Sequence, residues 1–376
     1  MPPDPIRRID VFGYQLHYAH GTYVMSGGRA AEAQSSTLVR VTTAAGVEGW
    51  GESCPLGTTY LPAFAEGGRA AIREMAPSLL GVDATNLAAV GAAMDGALMG
   101  HAYAKSPIDV ACWDILGKIS GQPVCNLLGG RLNESFQLYE AVPLAAPQEM
   151  ASYVTERRVA GIRHFQLKVG NEPRADAERV EAVLRVATAD DLLVADANGG
   201  WRFQDAVVAA RLLGELGGIH LEQPCVTLAE CRRIRALTDL PMVLDECVSD
   251  PASLIDAADA GAGAINLKIG KVGGLSRARV MRDLAVSLGV ALTVEDTWGG
   301  DVTTAAVAHL AASVPPRSLF TVSFFNDWTA EHVAGYAPRS QAGQGSAPDG
   351  LGLGIEVDAS MLGEPLFSVA DGPGRP

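Results

Sequence analysis

Strand-like and helix-like runs alternate without exception from Phe136 to Phe325, and the eight strands among them predict a (β/α) barrel of TIM type. A second observation agrees. Five hydrophobic strands end on a charged residue: FQLKVG at Lys168, VADANGG at Asp196, HLEQP at Glu222, VLDE at Asp245 and INLKIGKVGG at Lys268. They recur about every 23–28 residues, the length of one strand-plus-helix unit. Residues 7–18 and 35–52 alternate like antiparallel strands, and 65–120 carry apolar residues at helical spacing, which predicts a small α+β domain ahead of the barrel. The expected division is a capping domain at 1–130, the barrel at 131–335 and a C-terminal segment at 336–376 that packs back on the cap. A doubly wound open sheet is the alternative, weakened because no GxGxxG follows the first strand.

In chain order, the Ala44–Gly46 stretch suits a hairpin turn between the two cap strands. The Gly-rich stretch GTYVMSGGRAAE (21–32) and the Gly/Pro/Thr-rich stretch 51–64 read as lids over a site or as mobile linkers. Ser106 before Pro107 marks a helix start, with Asp109 near its positive end. From Phe136, strands and helices alternate up to SLFTVSFF (318–325), and the Gly/Pro-rich tail follows.

Of the 376 residues, 48% are apolar, enough for a sizeable core, and the net charge is −14. Such an acidic chain offers no basic patch to neutralise phosphates, so nucleic acid is not an expected partner. No run of 18 apolar residues suggests a membrane span. Six scattered cysteines form no CxxC pair, which argues against thiolate zinc and for a reduced, cytoplasmic setting.

Asp196, Glu222 and Asp245 close three consecutive strands. Three converging carboxylates repel one another unless a cation lies among them, and all-oxygen ligation favours a hard ion, Mg²⁺ first. The alternative is a barrel mouth whose acids are paired with Lys and Arg. Asn198 and Glu246 follow as groups that hold those ligands in place; spacing alone does not separate Asp245 from Glu246 as the ligand. Lys168 and Lys268 end the strands before and after the acids and should face each other across the barrel. A dication and a second ammonium would lower a lysine pKa and release the neutral base. One lysine then removes an α-proton from a carboxylate substrate and the other returns a proton or protonates a leaving group. Structural salt bridges to the acids are the competing role.

The set K-V-G, D-x-N, E-Q-P, D-E and N-x-K-x-x-K-x-G-G resembles the muconate lactonising subgroup of the enolase superfamily, over nearly the whole chain. The resemblance implies Mg²⁺ on Asp196, Glu222 and Asp245, with Lys168 and Lys268 as the acid/base pair acting through an enediolate. Gln166 stands where the subgroup often has a first lysine. The stretches SGGR (26–29), CPLGTTYLPA (54–63), GHAYAKSPIDVACWDILGK (100–118) and EDTWGGD (295–301) are similar to enzymes acting on proline-type substrates, the 4-hydroxyproline betaine 2-epimerases and cis-3-hydroxy-L-proline dehydratases. The expected reaction is racemisation or 2-epimerisation of a small nitrogen-containing carboxylate, with dehydration of a β-hydroxy acid as the close alternative. A carboxylate-binding barrel without turnover is the alternative of another class. The resemblance also implies a homo-oligomer. Candidates for the substrate pocket are Arg29, Tyr60, Tyr139, Gln166, Glu295, Asp296, Trp298 and Asp327.

Overall fold

The computed structural model describes residues 2–371. Its first domain is an antiparallel sheet with strand order Phe367–Ala370, Ile6–His17, Ala33–Thr43, Glu48–Ser53. The hairpin turn lies at Ala44–Gly46: Thr43 N donates to Val47 O at 3.0 Å, and Gly46 takes φ 81°, a conformation that suits glycine. One face of the sheet packs on helices Ala65–Leu79, Leu87–Ala97 and Ala102–Ser120 through Ile9, Val11, Val39, Ile72, Met75 and Ile108.

The third cap helix lies unusually close to the last cap strand. A Cβ on Gly51 would stand 1.9 Å from the Pro107 carbonyl oxygen, and one on Gly49 would stand 2.1 Å from that of Ala111. This contact corrects the expected helix start at Ser106–Pro107. The helix begins at Ala102 and carries Pro107 inside it. Packing against the glycine strand outweighs the lost backbone donor, which local propensity alone would have used to end the helix. Asp109 does not serve its own helix either. It is buried and accepts from Ser276 N (2.9 Å) and from the Ser276 hydroxyl, at the start of barrel helix Leu275–Leu288. The acid sits at a helix N-terminus as expected, but at that of a different helix.

The barrel is an eight-stranded parallel sheet: Tyr139–Val142, His164–Lys168, Leu192–Asp196, His220–Glu222, Met242–Leu244, Ala264–Lys268, Ala291–Glu295 and Leu319–Val322, each beside its neighbour in sequence. A parallel bridge from Leu138 to Val322 joins the first strand to the last, which excludes the open-sheet alternative. The register levels the strand ends: Lys168 stands beside Asp196, Asp196 beside Glu222, and Lys268 beside Glu295. Among the described residues, no helix is long and apolar enough to cross a membrane.

The tail visits two surfaces. Gln344–Gly345 pairs with Phe136–Gln137 below the first barrel strand, and Phe367–Ala370 then adds to the cap sheet. Residues 372–376 of the expected C-terminal segment lie outside the described residues. Glu52 joins cap to barrel. Its carboxylate accepts from Tyr14 Oη and Ser36 Oγ at 2.7 Å, and from Gly300 N and Thr303 N at 2.9 Å, at the start of helix Asp301–Ala312.

Two measurements test these contacts. Gly51→Ala should cost at least about 2 kcal/mol in chemical denaturation, because the added methyl meets backbone that has nowhere to move. Burial pushes the Asp109 carboxyl from 3.8 to about 6, against the opposing pull of its Ser276 hydrogen bonds. A folded pKa above the unfolded one means stabilisation that is complete below the unfolded value and lost as pH rises through the folded value. The stability of the native chain relative to Asp109→Asn should therefore fall by on the order of 2–3 kcal/mol between about pH 4 and pH 7, read from paired thermal melts.

Candidate active site

The levelled strand ends meet the cap loops around one narrow cavity, lined from below by Lys168, Asp196, Asp245 and Lys268 and from the cap by Tyr23, Met25, Leu56 and Tyr60. Lys168 ends the second barrel strand and Lys268 the sixth. Four strands apart on an eight-strand ring, they stand across the cavity from each other. Lys168 Nζ donates to Asp196 Oδ2 at 2.5 Å. Lys268 Nζ pairs with Asp245 Oδ2, lies 3.4 Å from Glu295 Oε1, and donates to Tyr60 Oη at 2.6 Å. Asp196, Asp245 and Asn198 line the same cavity. Glu222 sits one layer deeper, where Gln166 Nε2 donates to both its oxygens (3.0 and 3.1 Å) and Asn266 Nδ2 donates at 2.7 Å.

Electrostatics follows from this burial. Burial pushes Glu222 up, and the charges of Asp196 and Asp245 push it well beyond the ordinary carboxylate range. Asp245 moves the other way: burial raises it, but Lys268 and Lys271 outweigh burial and hold it low. Lys271 Nζ donates to Asp245 Oδ1 at 2.9 Å and to its backbone carbonyl at 2.7 Å. Burial and the neighbouring Asp245 and Asp196 lift Glu246 to about 7, and Asn198 Nδ2 donates to it at 3.0 Å. For the two lysines, burial favours the neutral form, but the facing carboxylates outweigh it and hold both ammoniums charged. The expected lowering depends on a dication beside the lysines; the acids by themselves act in the opposite direction. Among the described residues, no three His, Cys, Asp or Glu stand gathered as a ready ligand group, and the acids' oxygens accept from lysine and amide donors.

The pocket candidates divide. Tyr60, Tyr139, Gln166, Glu295, Asp296 and Trp298 line the cavity. Tyr139 hydrogen-bonds the Glu295 carboxylate. Asp296 accepts from Gly270 N and Thr297 N, both at 2.7 Å, and burial lifts it to about 7. Trp298 is packed among Tyr18, Tyr23, Phe325 and Trp328. Two candidates do not line the cavity. Asp327 accepts from the Tyr336 hydroxyl at 2.9 Å, and Arg29 bonds to Ser26 Oγ (2.7 Å) and the Asn198 carbonyl (3.3 Å), which ties its loop to the barrel rim. Sequence reasoning missed Lys271, Asn266 and Tyr23. The first two stand inside the N-x-K-x-x-K motif, three residues after and two before Lys268. Nothing in the local sequence marks Tyr23.

Residues 149–361 match the model for the enolase C-terminal domain-like family, and residues 15–129 match that of the mandelate racemase / muconate lactonizing enzyme N-terminal domain. The chain belongs to the mandelate racemase / muconate lactonizing enzyme family of the enolase superfamily. It is 44% identical to a cis-3-hydroxy-L-proline dehydratase from Roseibium aggregatum, over 96% of this chain and 98% of the relative. It is 30% identical to an N-succinyl-L-Arg/Lys racemase from Bacillus cereus, over 77% of this chain and 80% of that one. A family structure from Roseovarius nubinhibens ISM superposes with TM-score 0.95 at 38% identity, covering 98% of this chain and 99% of the other. An enolase superfamily member from the same organism, complexed with magnesium, superposes with TM-score 0.91 at 34% identity, over 97% and 99%. The curated relatives are dehydratases, racemases, epimerases and cycloisomerases, and this chain is an enzyme of that superfamily.

The charge crowding at Glu222 gives a test of its own. In protein stripped of divalent ions, Glu222→Gln should raise the melting temperature by a few degrees. The carboxyl must either bear a charge that two others repel or take up a proton on folding, an amide does neither, and its oxygen at the Oε1 position still accepts from Gln166 and Asn266.

Proposed function

We propose that the enzyme removes the α-proton of a small nitrogen-containing carboxylate and expels a β-hydroxyl as water, with cis-3-hydroxy-L-proline as the substrate. The observation that carries this is the pair of lysines facing each other across one small cavity. The 44% identity to a cis-3-hydroxy-L-proline dehydratase over almost the full length of both chains moves the balance from racemisation, the sequence's first expectation, to elimination.

The donor set fits a magnesium ion. Asp196, Glu222 and Asp245 are buried carboxylates on consecutive strand ends, and burial together with the charges of the other two raises Glu222 well above its ordinary pKa, a repulsion that a divalent cation among them would relieve. Bound there, Mg²⁺ supplies Lewis-acid stabilisation of the charge that develops on the substrate carboxylate. Asn198 and Glu246 brace each other behind the ligands. Gln166, Asn266 and Lys271 hold Glu222 and Asp245 in place.

The chain's own groups then divide the proton work. One lysine, in its neutral form, takes the proton from Cα. The electron pair of that bond forms the Cα–Cβ double bond as the Cβ–O bond breaks. The departing hydroxyl takes a proton from a lysine ammonium and leaves as water. The wall of Trp298, Tyr23, Phe325 and Trp328 accepts the ring methylenes and keeps bulk water from the carbanion. Racemisation or 2-epimerisation is the second reading, because a lysine on each face is what two-base proton transfer requires.

A proton NMR experiment in D₂O with Mg²⁺ separates these readings. With cis-3-hydroxy-L-proline, the expected result is loss of the α- and β-proton signals and a dehydrated product. With L-proline betaine and trans-4-hydroxyproline betaine, exchange at Cα without a new skeleton would assign the enzyme to the epimerases instead. No change in any tube, with Mg²⁺ binding shown by a thermal shift, would remove the proline-type assignment. Lys168→Ala and Lys268→Ala should each lower turnover by at least about 10³-fold at a temperature where thermal melts with Mg²⁺ show the variant still folded.

A further inference from the structure

Each of the two lysines has a tyrosine from the cap against it, and the two tyrosines come from different loops. Tyr60 belongs to the 54–64 loop. Its hydroxyl accepts from Lys268 Nζ at 2.6 Å and donates to Asp245 Oδ2 at 2.7 Å, while its ring centre lies 4.9 Å from the same nitrogen. Tyr23 belongs to the 21–32 loop, in the short hairpin of Tyr23–Val24 with Ala30–Ala31. It is buried, its ring centre lies 6.0 Å from Lys168 Nζ, and it packs on Trp298 with ring centres 5.4 Å apart.

We propose that Tyr23 and Tyr60 are positioning residues that divide the labour by face, Tyr23 holding Lys168 and Tyr60 holding Lys268. The inference rests on the two-lysine reading above. A lysine side chain has four rotatable bonds, and a neutral amine acts as a base only when its lone pair points at the substrate's Cα–H bond. Tyr60 accepts one of the amine's N–H bonds and covers one side of the nitrogen, which fixes the direction left for the lone pair. Tyr23 covers the Lys168 amine from the opposite lid. Each loop therefore governs one base, and the two faces of the cavity are set by separate segments of the cap.

The test uses L-proline and D-proline, which lack a β-hydroxyl and so report proton transfer alone. The full-length enzyme with Mg²⁺ in D₂O is followed by the rate of deuterium uptake at Cα from each enantiomer. Lys168→Ala and Lys268→Ala first assign which enantiomer each lysine serves. Tyr60→Phe should then slow exchange from the Lys268 enantiomer by roughly ten- to a hundredfold, the loss of one hydrogen bond to a charged or reacting group, and change the other by less than about threefold. Tyr23→Leu, which removes the ring beside Lys168, should show the mirrored pattern. The ratio of the two rates within one preparation does not depend on how much of the variant folds. Equal slowing of both enantiomers, slowing of the wrong one, or no slowing overturns the division by face while leaving the lysine pair intact. No exchange by the unmodified enzyme from either enantiomer removes two-base proton transfer on a proline ring, and this inference with it.

Discussion

Three carboxylates buried at the ends of consecutive strands repel one another, and the rest of the site is arranged to bear that repulsion. Asp196 is matched by Lys168, and Asp245 by Lys268 and Lys271. Glu222, the deepest of the three, has only the neutral amides of Gln166 and Asn266, and the crowding shows in its raised proton affinity. Breaking one partner of such a network leaves an uncompensated buried charge, so the network constrains every residue in it. The same acids favour the charged form of the lysines beside them.

The same physics joins the two domains. Two cap carboxylates are buried at the N-termini of barrel helices, Glu52 at Asp301–Ala312 and Asp109 at Leu275–Leu288. Each satisfies backbone donors that the helix cannot satisfy internally. These contacts fix the cap over the barrel mouth, and with it the loops that carry Tyr23 and Tyr60. The close approach of helix Ala102–Ser120 to the strand at Gly49 and Gly51 makes the cap itself a rigid support. The cap loops above and the strand ends below are held in one geometry by buried charge.

The barrel was legible because its signals are local and repeated. Each strand is a short apolar run, five of them lead into a charged residue, and the spacing matches one unit; closure followed once eight such strands were counted. The convergence of Lys168, Asp196, Asp245 and Lys268 on one cavity follows from that regular register. Loops and side-chain partners are different. Asp327 follows the last strand in a position that sequence places at the mouth, but its backbone enters a short 3₁₀ turn and the carboxylate finds Tyr336 instead. Arg29 was placed in the correct loop, yet its guanidinium serves the loop's own Ser26 and the barrel rim. Pro107 carried a helix-start signal that packing overrode.

The sequence by itself determined the alternation of elements, the level at which the charged strand ends lie and the chemical types that gather there, because these depend on period and on parallel register. The tertiary structure alone decided which partner each charge takes: Tyr60 on Lys268, Tyr23 beside Lys168, Lys271 on Asp245, and Glu52 and Asp109 on distant helices. Those pairings join residues far apart in the chain. A buried charge takes whichever donor the packed fold brings within hydrogen-bonding distance, and no local pattern records that choice.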